Sequence, residues 1–170
     1  MKTAMDRNTE TKQRTVQLCS VRAGAGLYGI DTRAIREVLG NSVPQQVPLA
    51  PSHIAGVLTY RGEVLEAISL RTLLGLERRT GTRDRVLVLE DEASERFGLM
   101  VDEVGDVVSV AEDAMERNPV TLDALGEAIF DGVFRMKSDL MVRLNTQRVR
   151  PMELARSGLP ETRASRAGAK

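Results

Sequence analysis

The sequence predicts a mainly β protein made of two groups of short strands, organised as small barrels or a sandwich. Three observations carry that expectation. Apolar runs are four to eight residues long and are broken by Gly, Pro or charged turns. Nine or ten such runs fall into two sets, on either side of a polar stretch at residues 77–84 that reads as an internal linker. Helical periodicity is confined to a few short segments. A chain of 170 residues, 42% hydrophobic and 28% charged, is long enough for one domain or for two small halves sharing a core.

In chain order, residues 16–21 and 27–30 flank Gly24-Ala25-Gly26 and predict a first hairpin. Asp31-Thr32 offers an N-cap for a helix over 33–39, with Ile35, Val38 and Leu39 on one face and Gly40 as its stop. Residues 43–47, fenced by Pro44, Pro48 and Pro51, suit only an edge strand or an extended loop. Residues 56–60 and 64–68 read as strands joined across Arg61-Gly62-Glu63, followed by a short helix at 70–74 that Gly75 ends. The second set comprises strands at 86–89, 97–101 and 104–110, a short helix at 111–118 ended by Pro119, and a late hairpin of 128–136 and 140–144. A closing helix at 145–156 is interrupted or restarted by Pro151. Residues 1–14 are expected to be flexible and 157–170 to form a disordered tail, because the composition there lacks apolar periodicity.

The 24 basic and 24 acidic side chains cancel in number but not in position. Residues 1–14 are +2 and 156–170 are +3, whereas 90–131 hold 13 acidic and two basic side chains. An acidic body argues against a nucleic-acid surface, which needs a basic patch. With no Trp, three Phe and two Tyr, stacking platforms are scarce as well. The best basic segment is 135–150, where Arg135, Lys137, Arg143, Arg148 and Arg150 face one acid, Asp139. No 18-residue apolar run predicts a membrane helix, and the first dozen residues lack the apolar stretch of a secretion signal. The single cysteine, Cys19, excludes an internal disulfide framework and fits a reducing compartment.

Enzyme chemistry finds little to work with. There is no glycine-rich loop ending in Lys-Ser or Lys-Thr, so a P-loop nucleotide site is excluded. Lys137 falls in Met136-Lys137-Ser138-Asp139, a hairpin turn, and His53 follows Pro51 at the start of a helical turn, with no Gly-x-Ser-x-Gly elbow anywhere. One His and one Cys do not build a zinc site, and the acidic run Glu90-Asp91-Glu92-Ala93-Ser94-Glu95 lacks the glycine and terminal Glu of a calcium loop and reads as a solvated turn. Cys19 suits a small buried hydrophobe in a strand. No metal or cofactor is expected. A small-barrel enzyme would require His53 or Lys137 beside converging carboxylates.

An ordered set of residues carries a family likeness. Leu27-Tyr28-Gly29-Ile30-Asp31, Ile35-Arg36-Glu37-Val38, Val47-Pro48, Pro51, Ile54-Ala55-Gly56-Val57, Tyr60-Arg61-Gly62 and Leu70-Arg71 occur in sequence, followed by Phe97-Gly98-Leu99-Met100-Val101-Asp102, Val104 and Val107. Over roughly residues 15–155 the chain resembles the CheW family, the coupling proteins of bacterial chemotaxis.

The resemblance implies two intertwined five-stranded SH3-like barrels around a shared core over residues 15–156. It assigns one barrel to about 15–75 plus 141–156 and the other to about 83–140. It further implies a cytoplasmic, non-catalytic adaptor that joins membrane receptor arrays through its partners, without inserting into the membrane. Those partners are the helical-hairpin tip of a chemoreceptor and the regulatory domain of a CheA-type histidine kinase, with other CheW-like proteins as further partners. A receptor helix would lay its apolar stripe in a groove with polar groups at the rim. On that reading Ile35, Val86, Leu87 and Val107 form the apolar surface, Glu37 and Arg61 are rim charges, and Gly98 allows close approach. Tyr60, Gly62 and Glu66 would face the kinase. Ile35, Val86 and Val107 fit core positions equally well, whereas Arg61 at a hairpin tip has nothing to pack against. The family's Asn-Leu-Arg-Gly is Thr59-Tyr60-Arg61-Gly62 here, and its Pro-Val-x-Asp-Leu is Glu66-Ala67-Ile68-Ser69-Leu70. Ser69 can still cap a helix, but Glu66 and Ser69 alter the surface expected for the kinase and open the possibility of a chemosensory pathway other than motility.

Overall fold

Strand pairing divides the protein into two five-stranded sheets, and the division does not follow chain order. The computed structural model describes residues 13–40, 42–79, 84–119 and 124–158. The first half of the chain supplies β1 (Thr15–Ala23), β2 (Gly26–Asp31), β3 (Ile35–Gly40), β4 (Ile54–Tyr60), β5 (Glu63–Ser69) and the one-turn helix α1 (Leu70–Leu73). The second half supplies β6 (Arg85–Glu90), β7 (Arg96–Val101), β8 (Glu103–Ala111), α2 (Ala124–Ile129), β9 (Phe130–Arg135), β10 (Leu140–Leu144) and α3 (Pro151–Arg156). Barrel I has the order β8-β1-β2-β10-β9 and barrel II the order β3-β6-β7-β5-β4.

These orders are the same pattern twice. Each half of the chain gives its first two strands to one barrel and its last three to the other. In both barrels the third and fourth strands are the parallel pair, β2 with β10 and β7 with β5, and the remaining pairs are antiparallel. The division into 15–75 plus 141–156 against 83–140 is therefore corrected: β3, β4 and β5 pair with β6 and β7, whereas β8 and β9 join β1, β2 and β10. Exchange of this kind means that neither half can complete a barrel alone.

Both sheets close into barrels by the same device. The chain leaving edge strand β3 returns to the opposite edge, where Gln45 and Val57 exchange backbone hydrogen bonds of 2.7 and 2.8 Å. The chain leaving β8 does likewise through Glu116 and Val133, at 2.8 and 2.9 Å. Each closing residue is preceded by a glycine at the third position of its strand. A Cβ on Gly56 would run into the Gln45 carbonyl, and one on Gly132 would meet the Glu116 carbonyl at 2.5 Å. Gly56 also has φ +146, a conformation that side chains other than glycine's rarely adopt.

The barrels share one apolar core. Cys19, Val21 and Ile30 from barrel I pack with Leu87, Leu89 and Leu99 from barrel II, joined by Leu70 of α1 and Leu154 of α3. Smaller cores lie within each barrel, around Leu18 and Phe134 in one and around Leu58 and Val86 in the other. Asp102, between β7 and β8, pins the exchange: its Oδ2 accepts from the Gly24 N–H at 2.8 Å and from Arg71 Nη1 at 2.7 Å.

Several local expectations are met. Gly24-Ala25 turns the first hairpin, residues 43–47 form an extended segment with one bridge, and Gly75 ends the turn after α1 at φ +72. Ser69 caps α1, its Oγ accepting from the Thr72 N–H at 3.3 Å, and Pro151 restarts the chain as the first residue of α3.

Three elements differ. Residues 33–39 are not a helix: Asp31 caps a single 3-10 turn, Thr32–Ala34, and β3 follows. Ile35, Glu37 and Leu39 alternate with the exposed Arg36, Val38 and Gly40, a period of two that a six-residue window does not separate from a helical face. Residues 111–118 hold only the 3-10 turn Glu112–Ala114, because barrel closure claims Glu116. Ala128 and Ile129 end α2 and do not begin β9. The acidic turn after β6 is not simply solvated, since Asp91 is buried and paired with Arg150 Nη1 at 2.6 Å. Residues 1–12, 80–83 and 159–170, which include most of the expected flexible N-terminus, part of the linker and most of the expected tail, lie outside the described residues.

Candidate partner-binding face

The β4–β5 hairpin ends in a two-residue turn, with Tyr60 opposite Glu63. Arg61 has φ +49 and Gly62 φ +84, the left-handed pair that matches the twist of a hairpin. Asparagine or glycine is the usual first residue of such a turn, and an arginine there carries strain. Its side chain is 74% exposed. The guanidinium lies 5.2 Å from the Tyr60 ring centroid and donates to Glu37 Oε2 at 3.1 Å.

The same Glu37 oxygen accepts the Tyr60 hydroxyl at 2.8 Å, which pushes the phenol pKa up. Glu37 is on β3 and Tyr60 ends β4, the two opposite edges of the barrel II sheet. The cluster Glu37–Tyr60–Arg61 thus lies across the seam that Gln45 and Val57 close, presenting one cation and one half-exposed carboxylate at its outer side.

The structure brings these three residues together and separates the others. Val107 is 54% exposed on β8, an edge strand of barrel I. Ile35 is half-buried against the shared core. Gly62 and Glu66 are exposed, the latter on β5 opposite Val57.

Four assignments are corrected. Val86 and Leu87 are fully buried, because β6 is an inner strand of barrel II with apolar neighbours on both faces. Gly98 is buried too, and its missing side chain serves internal packing: a Cβ would meet Val86 at 3.0 Å and Leu58 at 3.2 Å. Tyr60 is 6% exposed, with its hydroxyl bound to Glu37 and its ring beneath the Arg61 guanidinium.

Other exposed apolar groups were not singled out by sequence. Leu49 is fully exposed with φ +64, and Val64 and Met152 are 71% and 58% exposed. Val64 left a trace in the sequence. In Glu63-Val64-Leu65-Glu66 two adjacent residues are apolar, and in a strand only one of them can face the core.

The alternatives fare as follows. His53 is half-buried in the turn before β4, where burial pulls its pKa down, and Lys137 is exposed in the β9–β10 turn of the other barrel. Among the described residues no three His, Cys, Asp or Glu side chains are grouped to hold a metal, and no helix is long and apolar enough to cross a membrane. Three of the five basic side chains of segment 135–150 are paired with acids: Arg135 with Glu116, Arg143 with Asp31 and Asp131, and Arg150 with Asp91 and Glu153.

Strand-exchanged twin barrels with a charged cluster on one seam define a binding module of the CheW type. The CheW-like domain model matches residues 17–151, and the chain belongs to that family. It is 23% identical over 137 residues to the "Chemotaxis protein CheW" of Treponema pallidum, covering 78% of this chain and 81% of the relative. It is 25% identical over 137 residues to the protein of the same name from Rhizobium meliloti, covering 81% and 88%. The crystal structure of the scaffolding protein TtCheW from Thermoanaerobacter tengcongensis has the same fold, with a TM-score of 0.69 at 22% identity over 78% of this chain and 90% of that one.

Proposed function

We propose that this protein is a non-catalytic chemotaxis adaptor that couples the cytoplasmic tip of a chemoreceptor to the regulatory domain of a CheA-type histidine kinase. Membership of the CheW-like family supports the reading, and the Glu37–Tyr60–Arg61 cluster carries it. A strained turn holds an arginine outward, and a buried tyrosine fixes the carboxylate beside it, which is a costly arrangement for a surface with no partner. A receptor helix would meet Arg61 and Glu37 as its polar pins, with half-buried Ile35, two residues before Glu37 on β3, as the apolar group beside them, while exposed Val107 stands on barrel I. Gly62 and Glu66 form the exposed part of the kinase-facing side. The protein would then work in the cytoplasm, held at membrane receptor arrays by these partners.

The test is binding of the purified protein to a receptor-tip fragment, with Arg61→Glu as the variant. Placed beside Glu37, the new carboxylate repels it and removes the cation. Affinity is expected to fall at least tenfold, on the order of 1.4 kcal/mol, with the circular dichroism spectrum unchanged. Unchanged affinity in a folded variant refutes the role of Arg61. Since Glu66 stands where the family has proline, binding to a motility-type kinase domain should improve in Glu66→Pro if the departure sets kinase choice.

A further inference from the structure

The parallel ladder between β5 and β7 begins only at Ala67 opposite Gly98. Residues 63–66 pair with β4 on one side, but among the described residues they have no ladder partner on the other. The two strands diverge there, and the N-terminal turn of α3 stands across the gap. The result is a groove of about 640 Å³, with Val64 and Met152 exposed at its lips. An open strand edge beside apolar side chains is the geometry that accepts an added strand.

The lining is acidic once internal pairs are taken out. Arg96 is held by Glu90 and Glu63 at 2.7 and 3.1 Å, and Arg150 by Asp91 and Glu153 at 2.6 and 3.2 Å. Glu66 and Glu95 also line the groove, and neither has a salt bridge within 4.0 Å among the described residues, although the Arg150 charge acts on Glu95 from farther off. The occupant that complements this surface is an extended segment carrying arginine or lysine among small or apolar residues.

The chain contains such a segment next to the groove. The helix α3 lines one wall, and Gly158, two residues past its last residue, has φ +58, the left-handed conformation that ends helices. Twelve residues follow, with Leu159, Arg163, Arg166 and Lys170 against a single acid, Glu161. The six residues of α3 rise about 9 Å. A twelve-residue strand spans up to about 40 Å, so the return to Met152 is well within reach. Tethering also raises the local concentration to the order of millimolar, an advantage over a free peptide of the same chemistry.

We propose that residues 159–170 fold back and lie in this groove as an added strand along β5, with their arginines against Glu66 and Glu95. The segment would cover Glu66, so on the adaptor reading above it competes with the kinase for that side of barrel II.

The test uses the full-length protein with a nitroxide attached at Ser165→Cys; Cys19 is buried and stays in place. In nitrogen-15 spectra at low salt, the amides of Val64, Leu65, Glu66 and Met152 are expected to lose intensity while those of barrel I keep theirs. Glu66→Lys with Glu95→Lys should abolish the loss, and adding Arg163→Glu and Arg166→Glu should restore it. Intact Val64–Glu66 signals, intensity loss spread evenly over the surface, or loss only between labelled and unlabelled molecules in a mixture would each overturn the proposal. The last of these would give the groove to a second copy. No partner is present in the sample, so the adaptor reading stands or falls separately.

Discussion

The two barrels close alike and finish their seams differently. In barrel I the end of β9 places Arg135 beside Glu116, an ion pair of 2.6 Å that is 72% and 47% exposed, and a four-residue turn leads on to β10. In barrel II the end of β4 places a buried tyrosine, and the turn shrinks to Arg61-Gly62 with both residues left-handed. The first arrangement is an ordinary surface pair of small energetic value. The second adds strain and a buried hydroxyl to hold a single exposed cation. Because the backbone pattern is common to both, the difference isolates what barrel II has beyond the needs of folding.

The shared closure itself offers the largest effect. Gly56→Ala puts a methyl group against the Gln45 carbonyl in a backbone conformation that alanine avoids, and we expect a loss of about 3 kcal/mol or more in urea unfolding. Gly132→Ala meets the Glu116 carbonyl and the flexible Met115 side chain without positive φ, so its cost should be smaller. Equal costs would mean that the seams are energetically equivalent and that the left-handed Gly56 is incidental.

The next effect separates buried from exposed ion pairs. Asp91 Oδ1 accepts from the Ala93 and Glu95 N–H groups, both at 2.8 Å, and its Oδ2 accepts from Arg150. Burial pushes this carboxyl's pKa up, but the hydrogen bonds from Arg150, Glu95 and Ala93 together outweigh it and hold it below the usual carboxylate range. Arg150→Ala leaves a buried charge without its partner and should cost about 3 kcal/mol, whereas Arg135→Ala should leave the unfolding midpoint nearly unmoved. The sign of the pH dependence follows from the depressed folded value. The pair's stabilisation is complete above the ordinary value of 3.8 and is lost as pH falls through the lower folded pKa. Acid unfolding of Arg150→Ala should therefore begin at higher pH than that of the parent.

Most strands were legible in the sequence because their apolar runs are bounded by turn residues. Their partners were not. Strand exchange depends on which edges meet, and nothing in the spacing of β3 or β8 says that each crosses to the other barrel. The family likeness supplied the two barrels, but residue position alone put Val86, Leu87 and Gly98 at the surface. Val86 and Leu87 are buried because β6 lies between β3 and β7, and Gly98 because β7 lies between β6 and β5. Arg61 was legible because a long charged side chain at a hairpin tip has no core to enter. Its tie to Glu37 was not, since two residues 24 positions apart are brought together only by closure of the barrel.

The smallest effect sharpens the comparison most. Arg61→Asn gives the turn the Asn-Gly pair that left-handed hairpin residues favour, and should stabilise barrel II by about 1 kcal/mol by relieving the strain of an arginine at φ +49. The same change removes the cation, so binding to the receptor tip should weaken as the midpoint of urea unfolding rises. An ordinary turn arginine would move stability alone. A loss of both would mean that the Glu37 pair and the stacking on Tyr60 stabilise the fold by more than the strain costs. A gain in stability with weakened binding is the combination expected if the arginine is kept for its partner and barrel I shows what the seam looks like without one.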